Sequence, residues 1–123
     1  MGGLSERVKL KLFMSKATEL TNEIIHQFYI DGAYAWRASS VGVYDKAKGH
    51  FRTAAKKGVS DILACYKGTL IAVEIKIGSD RLSAEQVGFQ RNIMHAGGEA
   101  FTTKSFVAFL EWWLETQKKL STD

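Results

Sequence analysis

An α/β layered domain is the fold class the sequence predicts: a small mixed β-sheet flanked by helices, with one helix added at the C-terminus. Three observations carry it. Two apolar, β-rich runs, Val59 to Tyr66 and Thr69 to Ile77, are separated only by Lys67-Gly68, the signature of a two-residue hairpin. Both faces of that hairpin are apolar, because Ile62, Ala64, Ile71, Val73 and Ile75 alternate with Leu63, Cys65, Leu70 and Ala72. A sheet apolar on both sides needs cover on both sides. Stretches with helical periodicity stand before and after the hairpin to supply it.

The elements follow in order. From about Ser15 to Asp31 the residues Ala17, Leu20, Ile24, Ile25 and Phe28 recur at three- and four-residue steps, an amphipathic helix closed by Gly32. A short strand, Ala33 to Ala38, comes next. Beyond the hairpin, Ser83-Ala84-Glu85-Gln86 reads as a capping box opening a helix to about Ala96, which Gly97-Gly98 ends. Glu99 to Thr103 forms another strand and leads into a final helix of about 104–120 carrying Phe106, Phe109, Leu110, Trp113 and Leu114 on one stripe.

Composition sets the outer bounds. At 123 residues, with 46% hydrophobic and 11% aromatic side chains, the chain is long enough for one packed core and too short for two domains. A single domain over 1–123 is expected, its core at about 15–103. The lone Cys65 excludes an intramolecular disulfide and a cysteine-based zinc site, and His26, His50 and His95 have no metal-ligand spacing. No apolar run approaches the roughly 18–20 residues of a membrane span, and Met1 to Arg7 lacks the hydrophobic stretch of a signal peptide. A soluble, intracellular protein without membrane association is therefore expected. The chain has no proline.

The formal net charge is only +4, but it is concentrated. Between Asp45 and Lys57, Lys46, Lys48, Arg52, Lys56 and Lys57 face the single acid Asp45, with Gly49, His50 and Phe51 interleaved. Such a segment suits a loop that neutralises phosphates of a polyanion. A solvated basic loop is the alternative reading.

Pairing across the hairpin gives the most informative position. If Lys67-Gly68 is the turn, Tyr66 opposes Thr69, and counting outward sets Asp61 directly across from Glu74. Directly opposed residues have Cβ atoms about 4.5–5.5 Å apart, where like charges repel. Lys76 shares that face. A salt bridge from Lys76 to Glu74 would leave the second carboxylate poorly compensated, whereas a bound hard cation would compensate both.

Gly58-Val59-Ser60-Asp61, then Glu74-Ile75-Lys76, resembles the PD-(D/E)xK nuclease signature. More narrowly, the order of parts is similar to the VRR-NUC domain, the virus-type replication-repair nucleases related to Holliday junction resolvases. The N-terminal acidic helix, Trp36-Arg37, Lys57-Gly58, Leu82 to Gln86 and Gly97-Gly98 all fall in matching order, from about Glu19 to Thr103. One residue departs from the pattern: Ser60 stands where the family commonly has proline.

The resemblance implies a restriction-endonuclease-like αβββαβ core and a metal-dependent DNA endonuclease, structure-selective on branched DNA such as Holliday junctions. It implies Mg²⁺ or Mn²⁺ held by Asp61, Glu74, the Ile75 carbonyl and a carboxylate of the first helix. Spacing favours Glu19 for that carboxylate, while helical phase favours Glu23. Lys76 would position the attacking water. Gln86 would face the site, although its place in the capping box is a complete structural reason for a glutamine. Arg37 and Ser39 are candidates for phosphate contact, with Lys46, Lys48, Arg52, Lys56 and Lys57 along the DNA backbone. The final helix has more apolar width than one core stripe needs, adding Val107 and Trp112. With the likeness to resolvases, this implies a homodimer. A less selective flap, end or duplex nuclease, and a non-catalytic basic DNA-binding module, are the alternatives.

Overall fold

The computed structural model describes residues 5–39, 43–45, 47, 49–52 and 56–121, with the side chains of 10–15, 43–45 and 50–52 left aside. Lys46 and Lys48 lie outside the described residues, and Arg52 is described in its backbone alone.

Helix α1 spans Glu6–Ile30, capped by Ser5, whose hydroxyl accepts from the Val8 N–H. It begins more than two turns earlier than the sequence periodicity predicts. Val8, Leu10 and Leu12 alternate with Lys9 and Lys11, a strand-like rhythm that hides the helix. Leu, Lys and Met are nevertheless good helix formers, and no proline interrupts them. After Asp31, Gly32 turns the chain at φ 87° into β1, Tyr34–Arg37.

The central hairpin forms as expected, from β4 (Ile62–Tyr66) and β5 (Thr69–Ile75), with Tyr66 opposite Thr69 and Ile62 opposite Val73. Lys67 and Gly68 have φ of 49° and 80°, the left-handed pair that a twisted two-residue turn requires. Both strands are shorter than predicted. Gly58, at φ 79°, bends the approach, so β4 starts at Ile62 rather than Val59. Strand β1 pairs antiparallel with β4, and β6 (Glu99–Thr103) pairs parallel with β5 after crossing over through α2 (Ala84–His95). The sheet order is β1-β4-β5-β6.

Between Val43 and Arg52 the structure has a hairpin that the sequence pattern does not show. Val43–Asp45 (β2) and His50–Arg52 (β3) pair antiparallel as a separate two-stranded sheet, with Asp45 opposite His50. Three-residue strands are too short to leave a periodic signal. With this hairpin set aside, the order of α1, β1, β4, β5, α2 and β6 is the expected αβββαβ, and α3 (Phe106–Ser121) follows.

The core lies on one face of the sheet. Leu20, Ile24 and Phe28 of α1 and Phe109 and Trp113 of α3 pack on Ile62, Ala64, Tyr66, Ile71, Val73 and Ile75. Phe28 meets Trp113 edge-on at 4.8 Å, and the Trp113 indole donates to Asp31 Oδ2 at 2.8 Å. Trp112 stacks on Phe101 of β6 at 4.8 Å, so that part of the apolar surplus of α3 is used inside the chain. Val107 and Leu114 stay exposed.

The second face is covered only in part. Helix α2 lies against β5 and β6, where Gln90 donates to Thr102, and no residue of it is fully buried. Helices thus stand on both faces as expected, while Cys65, Leu70, Trp36 and Tyr34 beyond α2 are exposed. Small side chains such as Ala72 and Cys65 give that face less area to bury than the branched side chains opposite. Among the described residues, no helix is long and apolar enough to cross a membrane.

Candidate active site

The β4–β5 ladder ends at Ile62 opposite Val73, and one further step in the same register sets Asp61, the residue before β4, toward Glu74 on the face that α2 partly covers. The Asp61 carbonyl accepts from the Ala38 N–H at 2.9 Å, which extends the β1–β4 ladder by one step and fixes the backbone. Its carboxylate is held on both oxygens. Oδ2 accepts from the Ile75 N–H at 2.8 Å, and Oδ1 accepts from the Ser39 hydroxyl at 3.1 Å. Ser39, a candidate for phosphate contact by sequence, is thus placed as a donor that orients Asp61.

Glu74 is 2% exposed. Gln86 Nε2 donates to its Oε1 at 3.4 Å, while Oε2 is buried with no partner among the described residues. Burial pushes the carboxyl up to about 9, reinforced by a hydrogen bond with Asp61 and by its charge, against a smaller opposing effect of Lys76. At neutral pH Glu74 therefore holds its proton.

Lys76 is 9% exposed, and its N–H donates to the Thr103 carbonyl at 3.0 Å. Its ammonium lies 3.8 Å from Asp80 Oδ2, a partner the sequence reading did not single out. The Lys76–Asp80 spacing is the only sequence signal for it.

Gln86 resolves a choice that the sequence left open. Its Oε1 accepts from the Ser83 N–H at 2.8 Å while Ser83 Oγ accepts from the Gln86 N–H, completing the capping box. The same side chain reaches Glu74 through its amide nitrogen, so cap and site contact coexist. The first turn of α2 also braces the segment leading to Asp61. Lys57 pairs with Glu85 at 3.3 Å, and a Cβ on Gly58 would lie 2.3 Å from the Glu85 carbonyl oxygen.

Not every sequence candidate converges on the pair. Arg37 opposes Ile62, on the side that faces α1, and donates to Asn22 at 3.4 Å. Glu19 and Glu23 are exposed on α1. Among the described residues, no three His, Cys, Asp or Glu side chains group as a metal cluster. Lys56 and Lys57 are exposed.

The donor set suits a hard divalent cation. Two neighbouring carboxylates, one of them buried with an oxygen that has no partner among the described residues, are what such an ion would satisfy.

No known family model matches the chain, and no curated protein matches it. Among solved structures, the chain is similar to Hjc of Archaeoglobus fulgidus, a Holliday junction resolvase from an archaeal hyperthermophile. The likeness has 22% identity and a TM-score of 0.49, covering 72% of this chain and 67% of that one.

Proposed function

We propose that this chain is a Mg²⁺- or Mn²⁺-dependent nuclease that hydrolyses phosphodiester bonds in DNA, with branched DNA such as Holliday junctions as its preferred substrate. The observation that carries the reading is the Asp61–Glu74 pair. A purely structural strand end gains nothing from opposing two carboxylates, burying one and leaving its oxygen unpartnered. The nearby Lys76 fits the same purpose, because phosphoryl chemistry needs a cation beside the developing charge. The order GVSD, EIK and LSAEQ, which resembles VRR-NUC nucleases, points the same way.

Asp61, Glu74 and the Ile75 carbonyl would hold the cation. Glu19 is the proposed carboxylate from α1, on its spacing to Gly32 and Trp36-Arg37, which matches the resemblance better than that of Glu23. When bound, the metal would supply Lewis-acid polarisation of the phosphate and a more acidic water. Ser39 and the Ile75 N–H hold Asp61 in one orientation, and Gln86 does the same for Glu74. Lys76 positions the attacking water and offsets negative charge on the phosphate. Lys46, Lys48, Arg52, Lys56 and Lys57 are the proposed backbone contacts, and a homodimer would bring two sites to two opposed strands.

The test is nicking of end-labelled duplex and four-way junction in Mg²⁺, in Mn²⁺ and in chelator. The proposal expects cutting only with metal and preferentially on the junction. Cutting that is equal in chelator, or absent in every condition, would refute the metal-nuclease reading.

A further inference from the structure

The face that carries Asp61 and Glu74 also carries two aromatic rings for which the fold has no use. Tyr34 opposes Cys65 and Trp36 opposes Leu63, so both rings project on the same side of the sheet as Leu63 and Asp61. Tyr34 is 75% exposed and Trp36 41% exposed, and their ring centroids are 5.6 Å apart at a 41° tilt. Neither belongs to the core cluster. Exposed aromatics on an edge strand invite association, and edge strands usually carry charge or proline to prevent it.

Their place relative to the carboxylates suggests the occupant. Trp36 is the diagonal neighbour of Asp61 across β1 and β4, a separation of about 7–8 Å and somewhat less between their Cβ atoms. That is about the reach of one nucleotide along an extended strand. Helix α2 packs on this same face, and its Glu85 pairs with the exposed Lys57, which lies four residues before Asp61, so a cation stands on the carboxylates' face. Flat rings, a cation on the same face and a phosphate-cutting pair at the end of the row suit nucleic acid better than an apolar protein surface. A base already stacked in a duplex cannot offer its face to a ring, whereas a base freed at a branch can.

We propose that Trp36, with Tyr34 beside it, is a stacking platform for one unpaired base next to the phosphate engaged by Asp61 and Glu74. This rests on the nuclease reading and deepens it, giving a structural source for a preference for branched over continuous duplex DNA.

The experiment measures binding in chelator, where no cutting occurs. Four-way junctions and single strands carrying the fluorescent base 2-aminopurine are titrated with wild-type, Trp36→Phe, Trp36→Leu and Trp36→Ala protein, with blunt duplex as the control. Wild type and Trp36→Phe should quench the base and bind within about threefold of one another. Trp36→Ala and Trp36→Leu should lose the quenching and bind branched DNA roughly 10-fold or more weakly, as removal of one base–aromatic stack predicts, with duplex binding unchanged. Retained quenching in Trp36→Leu, or an equal loss on duplex, would overturn the platform. So would conversion of a dimer to monomers by Trp36→Leu in sedimentation, since the strip would then be covered by a second copy. Nicking assays on Asp61→Asn test the nuclease reading independently, so either idea can fail without the other.

Discussion

Replacing Glu74 by Gln tests the state of the carboxylate pair directly. Burial and Asp61 raise the Glu74 carboxyl from 4.5 to about 9, so between those values the folded protein holds a proton that the unfolded chain has released. Stability therefore falls as pH rises across this window, at up to about 1.4 kcal/mol per pH unit. From about pH 4.5 to 7.5 the loss approaches ~4 kcal/mol, and it ends above about pH 9, where the folded state also loses the proton. Gln has the shape of the protonated acid, can donate to Asp61 as that acid does, and cannot ionise. In chelator, thermal or urea unfolding from pH 5 to 9 should show wild type losing stability steadily and Glu74→Gln staying nearly flat. The variant should be the more stable protein by about 3–4 kcal/mol near pH 7.5. Adding Mn²⁺ should stabilise wild type at that pH and leave Glu74→Gln almost unchanged, because a ligand that binds only the folded carboxylate pair shifts stability by mass action. Parallel pH curves for the two proteins would refute the buried, protonated Glu74. Equal Mn²⁺ shifts would refute the metal site.

Further outcomes follow from the same contacts. Asp61→Asn and Lys76→Ala should each lower cutting by a factor on the order of 1,000 while circular dichroism and junction binding persist; loss of folding instead would make both residues structural. Gly58→Ala should cost about 2–4 kcal/mol in urea unfolding, since φ is 79° and the new Cβ would meet the Glu85 carbonyl oxygen at 2.3 Å. Ser60 is fully buried with no partner for its hydroxyl among the described residues, so Ser60→Ala should stabilise by about 1 kcal/mol and raise Tm by roughly 3–6 °C. An unchanged or lower Tm would mean that the hydroxyl has a partner.

The part of the site legible in the sequence is the part that local pairing determines. Once Lys67-Gly68 is a two-residue turn, the register follows to Ile62 opposite Val73, one step short of Asp61 and Glu74, and the capping box fixes where α2 begins. The early start of α1 was hidden by an alternating Lys-Leu run, and β2–β3 by its brevity.

What the sequence by itself determined is thus the order of elements and the hairpin register that leads toward Asp61 and Glu74, because that register depends on residues only a few positions apart. Tertiary structure alone decided how those carboxylates are held. Ser39 comes from beyond β1, the Ile75 N–H from β5 and Gln86 from α2, and they meet Asp61 and Glu74 only when the sheet and α2 are assembled. The same assembly buries Glu74 and raises it to about 9. It also leaves Trp36 and Tyr34 uncovered, because α2 lies over β5 and β6 and stops short of β1. Burial and exposure depend on elements distant in the chain, and no local pattern encodes them.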